Sequence, residues 1–441
     1  MLNRRRFLQL FGAGAAALAA RPLWASAGTR PDDFFIFVHA AGGWDVTLWA
    51  DPRNEARGLV DPATASNTDI HQLTHWHPAA GGGFEVLAPG DTALRLGPGI
   101  GGLYDARSRL TVFNGIAMNT VSHEDGVVYS MTGRHKAGGS VPASSIDVLV
   151  ANELGGGQLM PDVSIRFSSH FVGNLSPHAT PLRVSSVEEL TKSFRRSDVF
   201  FDTADRDGIT ALLTEEATQL AAGSTHPAVF AQLAGQHAAM PKLLSGEIGT
   251  AFNAQALQAA YPQFNYNSVI QGNVAVSAAF AVEAIRRNLV RCVSFSLGGL
   301  DTHAANYRQH AHTLQELFGT IATMLRLLDA TPHPTLRGVK ASERTHILVL
   351  SDFCRTPQIN LSGGRDHYPN NSALVISPRF KGGRSYGKTD LEQLLPAEAG
   401  VFSDGKRSLS PSDVLATFLG AVAIDPRRYL RDGEIIRDVL I

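Results

Sequence analysis

Carboxylates and imidazoles recur where short apolar runs of this 441-residue chain stop. Gly42-Gly43-Trp44-Asp45 follows DFFIFVHA (33–40), and Gly298-Gly299-Leu300-Asp301-Thr302-His303 follows RCVSFSL (291–297). Asp352-Phe353-Cys354-Arg355 follows THILVLS (345–351), with Asp366-His367 a little further on. Carboxylate oxygen plus imidazole nitrogen, without thiolate, suits Zn²⁺, Mn²⁺ or another divalent ion. A metal takes up developing negative charge and an arginine such as Arg355 grips oxygens in pairs, so the set suits an anionic ester. Each residue also has a plainer use. An Asp after Gly-Gly is a good helix cap, and Asp301 stands just before a long helical pattern. Asp352 has Arg355 nearby as an ion-pair partner, and His367 fits an ordinary loop. Only their joint placement at strand ends points to a site.

The segment Ser122-His123-Glu124-Asp125-Gly126, running on to Thr132-Gly133-Arg134, reads as the opening of a helix. Ser122 is expected at its N-cap, where free N–H groups favour an anion or the developing charge of a nucleophile. Plain capping, with Glu124 and Asp125 in the first turn, is the competing reading.

The elements that must position these residues follow from apolar periodicity. Residues 33–40, 109–114, 291–297, 345–351 and 372–377 are predicted as strands. Helices are predicted over 209–222, 269–289 and 304–330, the last with Leu314, Leu317, Ile321, Met324, Leu325 and Leu328 at helical spacing. Strand–helix alternation with near-continuous apolar strands predicts a parallel sheet covered on both faces. Ligands then gather just past the C-terminal strand ends. Residues 151–266 are less clearly patterned and are expected to form a cap or insertion. Residues 54–99 form a long loop rich in Gly, Pro and His, of a length that is often functional.

Composition removes several classes. Lys plus Arg number 39 and Asp plus Glu 40, which argues against a general nucleic-acid binder. Hydrophobic residues are 44% and charged residues 18%, which excludes a disordered chain. Two cysteines exclude a disulfide scaffold and a thiolate metal cluster. Cys292 and Cys354 are expected near adjacent strand ends, either paired in an oxidising compartment or inert in the core.

Residues 1–27 read as an export signal. Arg4-Arg5-Arg6-Phe7-Leu8 fits a twin-arginine motif, Leu10–Ala20 is a short apolar stretch, and Ala25-Ser26-Ala27 offers a cleavage pattern. The expected partner is the twin-arginine export machinery. The expected product is a periplasmic protein, residues 28–441 as one domain, without a stable membrane anchor. Cleavage removes four arginines and no acid, leaving 35 basic against 40 acidic side chains.

In this order, the signal, the Gly-Gly-Trp-Asp, Ser-His, Asp-Thr-His and Ser-Asp-Phe-x-Arg-Thr-Pro blocks, and Gly364-Arg365-Asp366-His367, resemble the exported bacterial family called domain of unknown function 1501. The resemblance spans nearly the whole mature chain, and the Asp-Thr-His and Ser-Asp-Phe blocks are its most specific parts. That family is similar to the alkaline phosphatase and sulfatase superfamily. The resemblance implies an alkaline-phosphatase-like α/β three-layer sandwich with a mostly parallel central sheet and helices on both faces. It implies Asp45, Asp301, His303, Asp352 and His367 as ligands of one or two divalent ions, Zn²⁺, Mn²⁺ or Ca²⁺. The Ser122–Arg134 segment resembles a sulfatase nucleophile helix, on which Ser122 and His123 are both candidates for the reacting position. Two functions stay open: a metal-dependent hydrolase of phosphate or sulfate esters with Arg355 on the small anionic substrate, or an inactive exported binding or assembly protein.

Overall fold

Strand β1 (Phe34–Ala40) is buried along its whole length because both of its faces are covered. Phe34, Ile36, Val38 and Ala40 point into one core, and Phe35 and Phe37 into the other, as period-two alternation requires. Each fully buried Phe or Ile contributes about 1.5–3 kcal/mol through removal of apolar surface from water. The computed structural model describes residues 32–53, 73–79, 84–193, 203–224, 247–268, 272–402, 405 and 407–441. The export signal read at 1–27 and part of the 54–99 loop lie outside the described residues.

The remaining strands are β2 (Leu110–Ala117), β3 (Met160–Ile165), β4 (Leu182–Val184), β5 (Val290–Leu297), β6 (Thr345–Ser351), β7 (Cys354–Arg355), β8 (His367–Tyr368), β9 (Asn370–Ile376) and β10 (Arg384–Tyr386). Eight of them form one sheet in the order β10-β2-β9-β6-β1-β5-β3-β4, and β7 and β8 make a small ribbon. The principal helices are α1 (His123–Thr132), α2 (Ile146–Leu154), α3 (Thr203–Gly223), α4 (Gly272–Arg286), α5 (Ala311–Ala330) and α6 (Pro411–Ala421). One core joins the sheet to α4, α5 and the 3-10 segment Pro98–Arg109; the other joins it to α1, α2 and α6. The result is the expected three-layer sandwich.

Several expectations change. Residues 151–266 supply β3 and β4 to the central sheet. Those strands escaped notice because Pro161, Asp162 and Ser164 interrupt the apolar run of β3. Strand β9 runs antiparallel to both β2 and β6. Its N-terminal end therefore lies at the edge where the parallel strands finish, and this carries the preceding His367 to that edge. The pattern over 304–330 is not one helix: a π-turn, Asn306–His310, precedes α5, with Ala305 at φ +50°. Cys292 and Cys354 are free, and they lie in opposite cores, so the sheet itself separates them.

Candidate functional site

The loop after β1 turns through Gly42 and Gly43, at φ +110° and +77°. A Cβ on Gly42 would lie 2.5 Å from the Asp301 nitrogen, and one on Gly43 2.6 Å from the Phe353 ring. Only glycine lets the β1, β5 and β6 loops approach this closely. Helix α1 also starts against this edge, since a Cβ on Gly126 would meet the Asp352 carbonyl at 2.4 Å. Together these contacts set the positions of four side chains: His123, Asp301, His303 and His367.

Each histidine in this group has its Nδ1 committed. His123 Nδ1 lies 2.7 Å from Asp352 Oδ2, His303 Nδ1 2.7 Å from Asp366 Oδ1, and His367 Nδ1 2.8 Å from the Val121 carbonyl. A carbonyl accepts only and a carboxylate is an acceptor, so each Nδ1 carries the proton and each neutral ring turns an Nε2 lone pair inward. His303 Nε2 lies 3.1 Å from His367 Nε2. Asp301 Oδ1 lies 3.2 Å from His303 Nε2, 3.4 Å from His123 Nε2 and 3.6 Å from His367 Nε2. The ligand atoms of His123, Asp301 and His367 all fall within 4.8 Å of one another. Lone pairs facing at this range repel unless a proton or cation stands between them. Tetrahedral ligands about 2.0–2.1 Å from a Zn²⁺ are spaced by about 3.3 Å, in the middle of these separations. His123 Nε2 is moreover buried without a hydrogen-bond partner.

Supporting residues fix the geometry. Asp352 is buried and holds two imidazoles at once, His39 Nε2 at 2.5 Å and His123 Nδ1 at 2.7 Å, while the Gly42 amide donates to Oδ2 at 3.1 Å. Burial pushes the Asp352 carboxyl up, but the two imidazoles outweigh it and hold it well below the ordinary value. The hydrogen bond that His123 donates to Asp352 holds the His123 imidazole above its ordinary value, against partial burial. Burial, with the neighbouring His123 and Arg355 charges, pushes His367 down. Asp301 is lowered: partial burial acts upward, but the Arg355 guanidinium beside it prevails. Phe353 packs at 4.7 Å against both the His123 and His367 rings, sealing the inner wall.

The fold assigns different places to the other expected residues. Asp45 is fully buried in a separate cluster, where it accepts from Thr47 and Asn306 Nδ2 (2.8 Å) and forms an ion pair with Arg365 at 2.9 Å. It caps the short 3-10 turn Val46–Leu48, the plainer use foreseen for such an Asp, and both of its oxygens are engaged. Asp301, by contrast, caps no helix. Asp352 is behind His123 and not beside Arg355, so as placed it orients a ligand and is not one itself. Arg355 is wholly buried. It donates to the Gly43 carbonyl (2.9 Å), the Gly42 carbonyl, the Arg365 carbonyl (3.1 Å) and Asp301 Oδ1 (2.6 Å), and at 3.4 Å to His303 Nε2. Its fork ties the strand-end loops together and points at no open space. Ser122 occupies the N-cap of α1, but its side chain makes no cap hydrogen bond and touches no base among the described residues. His123, one residue on, faces the cluster.

Sequence reasoning assigned no role to His39 or Phe353 and missed the partner role of Asp366. Alternation along β1 carried a signal for His39, which shares a face with Phe35 and Phe37. No pattern could have foretold that Asp366 would hold His303, because that contact depends on the 356–366 loop folding back, with the Asn306 amide on the Gly363 carbonyl at 2.8 Å.

Residues 34–434 match the family described as "Protein of unknown function (DUF1501)". No curated protein matches the chain in sequence. Among solved structures the chain is similar to "Ps i-CgsB in complex with k-i-k-neocarrahexaose", at 10% identity and a TM-score of 0.36, over 89% of this chain and 72% of that one. It is also similar to a structure titled for metabolism of multiple glycosaminoglycans by Bacteroides thetaiotaomicron, at 10% identity and a TM-score of 0.32, over 89% and 73%.

Proposed function

The chain belongs to the DUF1501 family, and from that premise we propose that it is an exported, periplasmic, metal-dependent hydrolase of phosphate or sulfate esters. One observation carries the reading: the Nε2 atoms of His123, His303 and His367 gather around Asp301 Oδ1 with every Nδ1 already engaged, and of these, within the described residues, only His303 has a further donor, Arg355 at 3.4 Å. These four residues would hold a divalent ion, and the orphaned His123 Nε2 is the atom such an ion would satisfy. A bound ion would supply Lewis acidity toward an ester oxygen and neutralise its negative charge. Asp352, Asp366 and the Val121 carbonyl keep the three rings in the tautomer that presents Nε2. Arg355 fixes the Asp301 carboxylate, and Phe353 excludes water from the inner side. Asp301 and His303 are half-exposed, which leaves an outer face for a ligand to approach. Export rests on the arginine pair and apolar stretch of residues 1–27; among the described residues no helix is long and apolar enough to cross a membrane.

A second reading has its own support. Arg355 spends its donors on carbonyls, Asp301 and His303, and Ser122 has no base among the described residues, so the same centre fits an exported metal-holding binding or assembly protein. Elemental analysis of the purified mature chain, followed by an aryl phosphate and aryl sulfate screen with Zn²⁺, Mn²⁺ or Ca²⁺, separates the two. About one ion per chain with turnover that His367→Ala abolishes supports the hydrolase. An ion that His367→Ala removes, without turnover in the wild type, supports the binding protein. No stoichiometric ion, with stability unchanged by chelator, overturns both.

A further inference from the structure

A second polar group lies deeper, between α2 and the sheet, and the strand-edge site does not use it. Register pairs Asp162 of β3 with Cys292 of β5, and Ser164 with Ser294. Period-two alternation therefore sets all four on one face, the face that α2 covers. Asp147, in the first turn of α2, lowers its carboxylate onto them. Its Oδ1 accepts from Ser145 Oγ at 2.5 Å, and its Oδ2 from Ser169 Oγ and from Ser294 Oγ at 3.2 Å. Ser169 Oγ in turn lies 2.9 Å from Ser164 Oγ, and the Cys292 thiol, beside Asp162 in the register, donates to the Asp147 carbonyl at 3.6 Å.

Asp162 is the exception in an otherwise satisfied group. It is 1% exposed, and neither of its carboxyl oxygens has a hydrogen-bond partner. His170 Nε2, next in sequence to Ser169, is likewise buried without a partner. A buried carboxyl with both oxygens unpaired is strongly disfavoured, and the nearby Asp147 charge makes it worse. We propose that Asp147 and Asp162, with the hydroxyls of Ser145, Ser164, Ser169 and Ser294, form an internal site for a hard divalent cation, Ca²⁺ foremost. Two carboxylates balance the charge of the ion. Four serine oxygens and up to four carboxylate oxygens meet the demand of Ca²⁺ for about six to eight hard ligands. The strand-edge cluster, rich in imidazole, is the opposite type of donor set, so the two sites select different ions.

The test uses the full mature chain, prepared with Ca²⁺ and analysed for bound calcium and melting temperature, with EGTA as the chelator. EGTA is expected to lower the melting temperature of the wild type, and Ca²⁺ to restore it. The His303→Ala/His367→Ala variant should show the same shift and keep its calcium, because the strand-edge cluster is not involved. Asp162→Asn should lose one calcium per chain together with the EGTA response; Ser164→Ala, a milder change, should weaken calcium binding while the chain still folds. A wild type that holds no calcium and ignores both EGTA and Ca²⁺ overturns the proposal and leaves Asp162 a neutral acid sealed in the core. Calcium lost in the His303→Ala/His367→Ala variant and kept in Asp162→Asn also overturns it, by assigning the ion to the strand edge.

Discussion

Asp45 and Asp301 both follow a Gly-Gly turn at the end of a parallel strand, and both have arginine and histidine close by, yet one is closed and the other open. Both Asp45 oxygens accept hydrogen bonds, from Thr47 and Asn306, with Arg365 as the counter-charge, and its own amide donates to His310 Nε2 at 2.7 Å. Around Asp301 the donors run out: three imidazoles present lone pairs, and only Arg355 supplies protons. Residue type is the same in the two clusters. What separates them is whether the hydrogen-bond inventory closes, and an unclosed inventory at a half-exposed edge is what an ion or ligand can complete.

The sharpest way to break this contrast is to remove each carboxylate. Asp45→Ala takes the carboxylate counter-charge from the buried Arg365 guanidinium and should cost about 3–5 kcal/mol in chemical denaturation. Asp301→Ala takes the carboxylate from the buried Arg355 but leaves it three carbonyl acceptors beside a half-exposed edge, so it should cost less, about 1–3 kcal/mol, while bound Zn²⁺ or Mn²⁺ falls to background in elemental analysis. The reverse pattern would show that the open cluster is the structural one.

Asp352→Asn should come next in size. It weakens the grip on His39 and His123, and a loss of about 2–3 kcal/mol is expected. Metal affinity should drop about 10–100-fold, as for other partners of metal-binding histidines; titration with Zn²⁺ or Mn²⁺ reads this directly.

A pH series tests the closed cluster. Burial pushes His310 from 6.5 down to about 3, so between these values the unfolded chain binds a proton that the folded chain refuses. Stability should therefore fall as pH is lowered from 6.5 toward 3, and His310→Gln should flatten that slope. The open cluster has the opposite sign. His123 is raised by Asp352, so in metal-free protein its contribution is present below 6.5 and fades as pH rises through its folded value. That slope should be the shallower of the two, since His123 is partly solvated.

Ser122→Ala should do least, within about 0.5 kcal/mol in stability and with unchanged metal content. Loss of ester turnover in this variant alone would restore Ser122 as the reacting group and sharpen the choice between it and His123.

Much of the scaffold was legible because buried parallel strands leave long apolar runs. Phe34–Ala40, Val290–Leu297 and Thr345–Ser351 stand within a residue of their predicted bounds. Strands β3, β4 and β10 were not legible, being short or broken by polar residues. The cluster itself was half legible. Asp301, His303 and His367 were drawn from strand ends and resemblance, and they do meet; Asp45 and Asp352 carried the same signal and turned inward.

Sequence alone determined the alternation of strands and helices, the edge at which carboxylates and imidazoles would collect, and the family to which the chain belongs. It did so because apolar periodicity and the Gly-Gly turns are local properties, written in consecutive residues. Which carboxylate is saturated and which is free was decided only by tertiary structure. The partners of Asp45, Asp301 and Asp352 lie as far as 313 residues away, as His39 does from Asp352, and no local pattern records which distant donor reaches which lone pair.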